Sequence, residues 1–262
     1  MVRKLLIIQV LLLIALTIEA QGRQKKKTKA PDKEDLAKEA VNVPPFIKDI
    51  DSNTYKVVII GNQVWMAENL KTKRLNDGTR IPFVPGDKLW LGQKKPALCW
   101  YNDGPFVNDS ARYVSTYGFL YNWYAVNTGK LCPDGWHVPS GSEWEDMEEF
   151  LGIYSAGLKM KESGTLHWNS TTAEVTNESG FTALPGGLRS IDRNNPTAAP
   201  FHMAGEVVAW WSSSPVNNEV STSFCIYAPI VSGISDEKNH LKLRRFDTIP
   251  KINGASIRCL KN

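Results

Sequence analysis

The chemistry of this chain is narrowed first by what it lacks. Its 262 residues contain no G-x-S-x-G nucleophile elbow, no H-E-x-x-H zinc helix and no glycine-rich phosphate loop. The plainest signatures of serine hydrolases, zinc proteases and nucleotide-binding enzymes are therefore missing. Histidine is scarce: His137, His167, His202 and His240 stand far apart, each without a ligand at helical or hairpin spacing, and each reads as structural or surface. The four cysteines include no C-x-x-C, which excludes the usual zinc patterns. No internal repeat divides the chain.

Net charge is also lacking where it would matter. The formal +4 arises in residues 1–40, where nine Lys or Arg face five Asp or Glu; of the 31 basic and 27 acidic residues in the whole chain, 22 of each sign remain for residues 41–262. A basic pI thus describes the N-terminal part and not a folded face, which argues against nucleic acid as a partner.

A short basic head, Arg3-Lys4, precedes an apolar run from Leu5 to Ile18 and the small residue Ala20. The run is short for a bilayer span, and the pattern predicts a secretory signal peptide over 1–20, cut after Ala20; the alternative is an uncleaved N-terminal anchor. No cysteine follows the run, so a lipoprotein anchor at that site is excluded. Residues 21–44 follow as a charged linker, poor in large apolar side chains from 21 to 40 and expected to be disordered. Export implies an oxidising compartment, in which Cys99, Cys132, Cys225 and Cys259 would form two disulfides with three possible pairings.

Residues 45–262 are long enough for one domain with a real core. Residues 55–70 predict a β-hairpin turning at Gly61-Asn62, with Trp65 inward, and Asn76 to Thr79 predicts a tight turn. A Pro/Gly-rich passage from Pro82 to Gly104 carries Trp90 and Trp100. The aromatic block Tyr117, Tyr121, Trp123 and Tyr124 must bury much of its surface. Behind it, Ser140 and Glu143 form an S-x-x-E capping box for a helix with Trp144, Met147, Phe150 and Leu151 at helical spacing, ending at Gly152. A second short helix is expected over Ser155–Glu162, with Leu158 on its apolar side. Turns and short strands follow, including Val207–Ser213 around Trp210-Trp211, then Ser223–Ile230. A final alternating strand has Ala255, Ile257 and Cys259 on one face. Helices in the middle and strands at both ends predict a single α+β domain with one or two short helices and long loops, in which the first hairpin meets the last strand in an antiparallel sheet.

Six passages occur in order: VVIIGNQVWMAENLKT (57–72), YGFLYNWYAV (117–126), LCPDGWHVPSGSEWEDM (131–147), SGFTALPGGLR (179–189), WWSSS (210–214) and GASIRCLK (254–261). Together they resemble the signature of the Fibrobacter succinogenes major paralogous domain family. The resemblance implies an exported bacterial protein, in the periplasm, at the cell surface or secreted, and a fold related to the C-type-lectin-like and sulfatase-modifying-factor group. By the lectin-like analogy, Cys132 near the main helix joins Cys259 in the last strand, leaving Cys99 for Cys225. The resemblance carries no activity.

Candidate binding residues come from the aromatic loops: Trp100, Tyr101, Asn102 and Asp103 in one, and Trp211 beside three serines in the other, a mixture suited to stacking on a sugar ring. The oxygen-rich residues from Tyr101 to Gly104 and from Asn108 to Ser110 offer hard ligands to Ca²⁺, but miss EF-hand spacing and read equally as Asn/Asp turns. The acids Glu143, Glu145, Asp146, Glu148 and Glu149 lie on one helix as a solvated face, not as an acid/base pair. The leading expectation is a non-catalytic interaction module that binds a glycan or an envelope or surface protein, without a cofactor. The alternatives are an enzyme resembling the sulfatase-modifying oxidases, which would need a reduced and accessible cysteine pair, and a purely structural envelope component.

Overall fold

Tryptophan placement organises the fold. The computed structural model describes residues 43–101, 110–190, 201–229 and 239–262. The expected signal segment and most of the charged linker lie outside them. Strand β1 (Phe46–Lys48) pairs antiparallel with β2 (Thr54–Ile60), which turns at Gly61, φ +63°, into β3 (Gln63–Met66). The short helix α1 (Asp87–Leu91) precedes β4 (Leu98–Cys99), and α2 (Ser110–Tyr117) precedes β5 (Leu120–Tyr121). A single helical turn α3 (Trp123–Val126), capped by the Asn122 side chain, leads to β6 (Trp136–His137). Helices α4 (Gly141–Leu151) and α5 (Ala156–Met160) follow, then β7 (Gly186–Arg189), β8 (Phe201–Ala204), β9 (Val207–Pro215), β10 (Val220–Tyr227), β11 (Arg244–Pro250) and β12 (Leu260–Lys261). They form one five-stranded sheet in the order β1-β2-β3-β12-β6, a second in the order β11-β10-β9-β7-β8, and the small pair β4-β5. Pairing is antiparallel throughout except where β7 meets β9 at Gly187 and Val208. The α+β expectation holds, and the first hairpin meets the last strand where Leu260 pairs with Trp65.

The capping box forms as the sequence predicts. The Ser140 hydroxyl accepts from the Glu143 backbone N–H, and Glu143 returns a carboxylate oxygen to the Ser140 N–H at 2.7 Å. This fixes the entry of α4 and drives Trp144 into the centre of the domain. There the Trp144 ring lies 4.7 Å from Trp65 of the first sheet, and 5.5 and 5.4 Å from Trp210 and Phe224 of the second. One side chain thus joins both sheets, in aromatic contacts worth about 0.5–1.5 kcal/mol each beyond their buried area.

Two local expectations are corrected. In α5 the buried residues are Ala156, Gly157 and Met160, and Leu158 is only half-buried, because Gly157 sits against the backbone of His240 and Leu241. The C-terminal segment is not a strand with one buried face: residues 251–260 are all buried, and only Leu260–Lys261 is regular strand. The segment threads between the sheets, Ala255 bridging Tyr121 and Ser256 bridging Trp210. Its Lys251, Ser256 and Arg258 side chains survive burial because each is hydrogen-bonded within the fold. Arg258 donates from Nε to Asn69 Oδ1 at 2.7 Å, from Nη1 to the carbonyls of Met66 and Phe181 at 3.1 and 2.6 Å, and from Nη2 to Thr182 O at 3.0 Å.

The disulfide Cys132–Cys259 is present and ties the start of the α4 region to this buried segment. The second expected bridge is corrected: no bond joins Cys99 to Cys225. Cys99 packs in a small cluster with Trp90, Ala97 and Leu120, whereas Cys225 lies in the main core, opposite Ala209 and Arg244. Different clusters hold them, and burial pushes the Cys225 thiol up to about 12.

Candidate functional site

A cavity of about 850 Å³ among the described residues is built from irregular chain after β3 together with one face of helix α2. After β3, residues 71–82 fold back on themselves around the Asn76–Gly78 turn: Ile81 N–H donates to Lys73 O at 2.8 Å, and Arg74 bridges Arg80. This returns Lys73 and Arg80 to neighbouring rungs at the mouth. Phe83 then bridges Leu98 of β4, with Leu98 N–H on Pro82 O at 3.0 Å, so that Trp100, two residues on, comes to lie against Phe83. The two rings stack at 4.1 Å with only 8° between their planes. Helix α2 supplies Val114 and Ser115, and Phe119 closes the floor beside Ile81 and Leu98.

The lining has a one-sided charge. Lys71, Lys73 and Arg80 line the cavity, and among the described residues no Asp or Glu does. Lys71 is partly neutralised by Glu68 at 2.9 Å, whose carboxyl is held below its usual range despite the opposing effect of burial, by the Lys71 ammonium and the Lys56 N–H. Lys73 Nζ reaches over the Phe119 ring at 5.9 Å, and neither Lys73 nor Arg80 has a carboxylate partner among the described residues. The nearby Asp51 is engaged by Arg74 at 3.2 Å and by Thr72 and the Lys73 N–H. The arrangement offers an exposed ring face, Phe83 at 38 % exposure, next to two cations.

The residues singled out in the sequence separate. Trp100 lines the cavity, half-buried, with its indole N–H shielded and lacking an acceptor among the described residues. Tyr101 turns away and packs between Tyr113 and Phe201, ring centroids 6.0 and 5.3 Å away. Asn102 and Asp103 lie outside the described residues, as does most of the oxygen-rich run considered for Ca²⁺. Among the described residues no three His, Cys, Asp or Glu side chains gather as a metal site. Trp211 is corrected: it is fully buried, its indole N–H donates to Tyr121 O at 2.8 Å, and it has no face to offer a ligand. Both members of the Trp210-Trp211 pair are interior, because β9 is the middle strand of its sheet and is covered on both faces.

His137 bonds Glu143 at 3.0 Å and Asn262 at 2.6 Å, while His167 bonds Glu162, so these histidines serve separate local networks. Sequence reasoning missed Phe83, Lys73 and Arg80. The signal was present in the basic run Lys71-Thr72-Lys73-Arg74, but the zero net charge of residues 41–262 concealed that local asymmetry.

Fold and cavity together define a tryptophan-rich α+β domain with an open cationic groove. The family model described as Fibrobacter succinogenes major domain matches residues 58–261, and the chain belongs to that family. Neither the search of curated proteins nor that of solved structures gave a match.

Proposed function

We propose that this protein is a non-catalytic binding module working outside the cytoplasm, and that it takes a glycan into the groove beside Trp100. The observation that carries the reading is the Phe83–Trp100 stack, an exposed aromatic face held rigidly at the edge of a cavity whose volume lies within the roughly 300–1,000 Å³ of small-ligand sites. A flat ring fixed by a second ring stacks on a sugar without losing rotamer freedom. The signal-like N-terminus and the Cys132–Cys259 bridge support an oxidising destination, and no helix of the described residues is long and apolar enough to cross a membrane.

The oxidase reading has less support. It needs two accessible thiols, but Cys99 and Cys225 are 0 % and 6 % exposed and sit in separate clusters. A surface protein as ligand, or a purely structural role, would leave the groove without an oligosaccharide. A glycan array probed with the full chain tests this: a subset of sugars should retain the wild type, and Phe83→Ala should lose that retention while still unfolding cooperatively, its melting temperature lowered by only a few degrees for the lost stack. Retention of no glycan at all would remove the reading.

A further inference from the structure

We propose that the groove selects an acidic sugar, a short oligosaccharide carrying carboxylate or sulfate groups, through Lys73 and Arg80. The inference rests on the glycan-binding reading and adds the chemistry of the ligand to it. Among the described residues, two cations without carboxylate partners share the lining with the ring platform, and no acid lines it. A neutral sugar would satisfy the stack and leave both charges unused. An acidic pyranose satisfies both features, with its C–H face on Phe83 and its anionic group toward Arg80 and Lys73. The planar Arg80 fork can hold a carboxylate or sulfate with two parallel N–H donors, and Lys73 adds a compact point charge.

Competing anions fit less well. A polynucleotide needs a basic stripe that follows its backbone, but residues 41–262 carry 22 charges of each sign and the exposed cations of this lining are confined to one mouth. An acidic peptide would meet the cations and bring no ring to the Phe83 face. Lys71 contributes less because Glu68 already compensates it at 2.9 Å.

The test is calorimetric titration of the full chain with trigalacturonate, a sulfated galactose trisaccharide, neutral galactotriose and a glutamate-rich hexapeptide. One or both acidic sugars should bind at least about tenfold more tightly than the neutral one, the scale of one charge-assisted hydrogen bond, with affinity falling as salt rises. Which acidic sugar binds identifies the anionic group. Lys73→Gln and Arg80→Gln should each weaken acidic binding about tenfold while leaving any neutral binding unchanged. Both side chains are exposed, so melting temperatures should not move. Equal or tighter binding of galactotriose would overturn the acidic selectivity and leave the glycan reading standing. Binding of the peptide alone would overturn the ligand class, and binding of none of the four would overturn the proposal together with the reading beneath it.

Discussion

Opening the Cys132–Cys259 bridge should release the segment that the core is wrapped around. The two cysteines are 127 positions apart in sequence, and the closed loop contains α4, the two strands β9 and β10 that face it, and Trp144, Trp210 and Phe224 of the central aromatic cluster. On the chain-entropy account, removing a cross-link of this span returns about 5 kcal/mol of freedom to the unfolded chain. That is comparable with the whole stability of many domains, roughly 5–15 kcal/mol. For a domain of this size it corresponds to a fall in melting temperature of roughly 10–20 °C. Urea and thermal unfolding of the wild type, oxidised and reduced, should be set beside Cys132→Ala/Cys259→Ala. Reduction leaves both sulfurs in their buried sites, 3 % and 0 % exposed, so it isolates chain closure from packing. A reduced wild type within about 1 kcal/mol of the oxidised form would refute the closure argument, and a large loss confined to the double alanine variant would assign the effect to packing instead.

Lys161 should give stability a rising limb above neutrality. Burial pushes its ammonium down to about 7, with a single carbonyl, His240 O at 2.9 Å, and the Trp168 ring at 5.3 Å around it. Unfolded, the group titrates near ~10.4, so between those values the unfolded chain binds more protons and stability rises with pH, by about 1.5 kcal/mol from pH 7 to 8.5. Above that, Cys225, whose thiol is raised to about 12, opposes the trend as the unfolded thiol ionises. Urea midpoints across this range should rise in the wild type and flatten in Lys161→Met; parallel profiles would reject the assignment. The two tryptophans first grouped as binding residues should also part company on conversion to phenylalanine. Trp211→Phe loses the bond to Tyr121 O and leaves core volume empty, a cost of about 1–3 kcal/mol, whereas Trp100→Phe loses no hydrogen bond among the described residues and should change stability by about 1 kcal/mol or less. Equal losses by equilibrium unfolding would contradict the burial contrast.

Local signals were legible in the sequence wherever a few adjacent residues are sufficient to define an element. The Gly61-Asn62 turn, the Ser140–Glu143 box and the Gly152 stop each act within a handful of positions, so they appear in the chain order and again in the fold. Three short helices were not legible. α1, α2 and α3 are five, eight and four residues long, too short for an apolar periodicity to mark them in the sequence.

Whether an aromatic residue is core or platform was decided only in three dimensions. Trp100 and Trp211 look alike in sequence, each in a run of polar and aromatic neighbours. Trp211 is interior because β9 is flanked by β10 and β7 and covered on both faces, while Trp100 stays at a rim because Phe83 stacks on it. The cysteines divide in the same way: four allow three pairings, and only the packing of β4 and β10 into separate clusters leaves Cys99 and Cys225 unjoined. The groove is the plainest case. Lys73, Arg80, Phe83, Trp100 and Phe119 span 47 positions from first to last numbered residue, about 46 peptide steps of chain that no short-range pattern links. Sequence determines side-chain chemistry and short-range geometry. A site assembled from loops depends on which loops the buried aromatic core brings together, because burial energy acts through contacts and not through order along the chain.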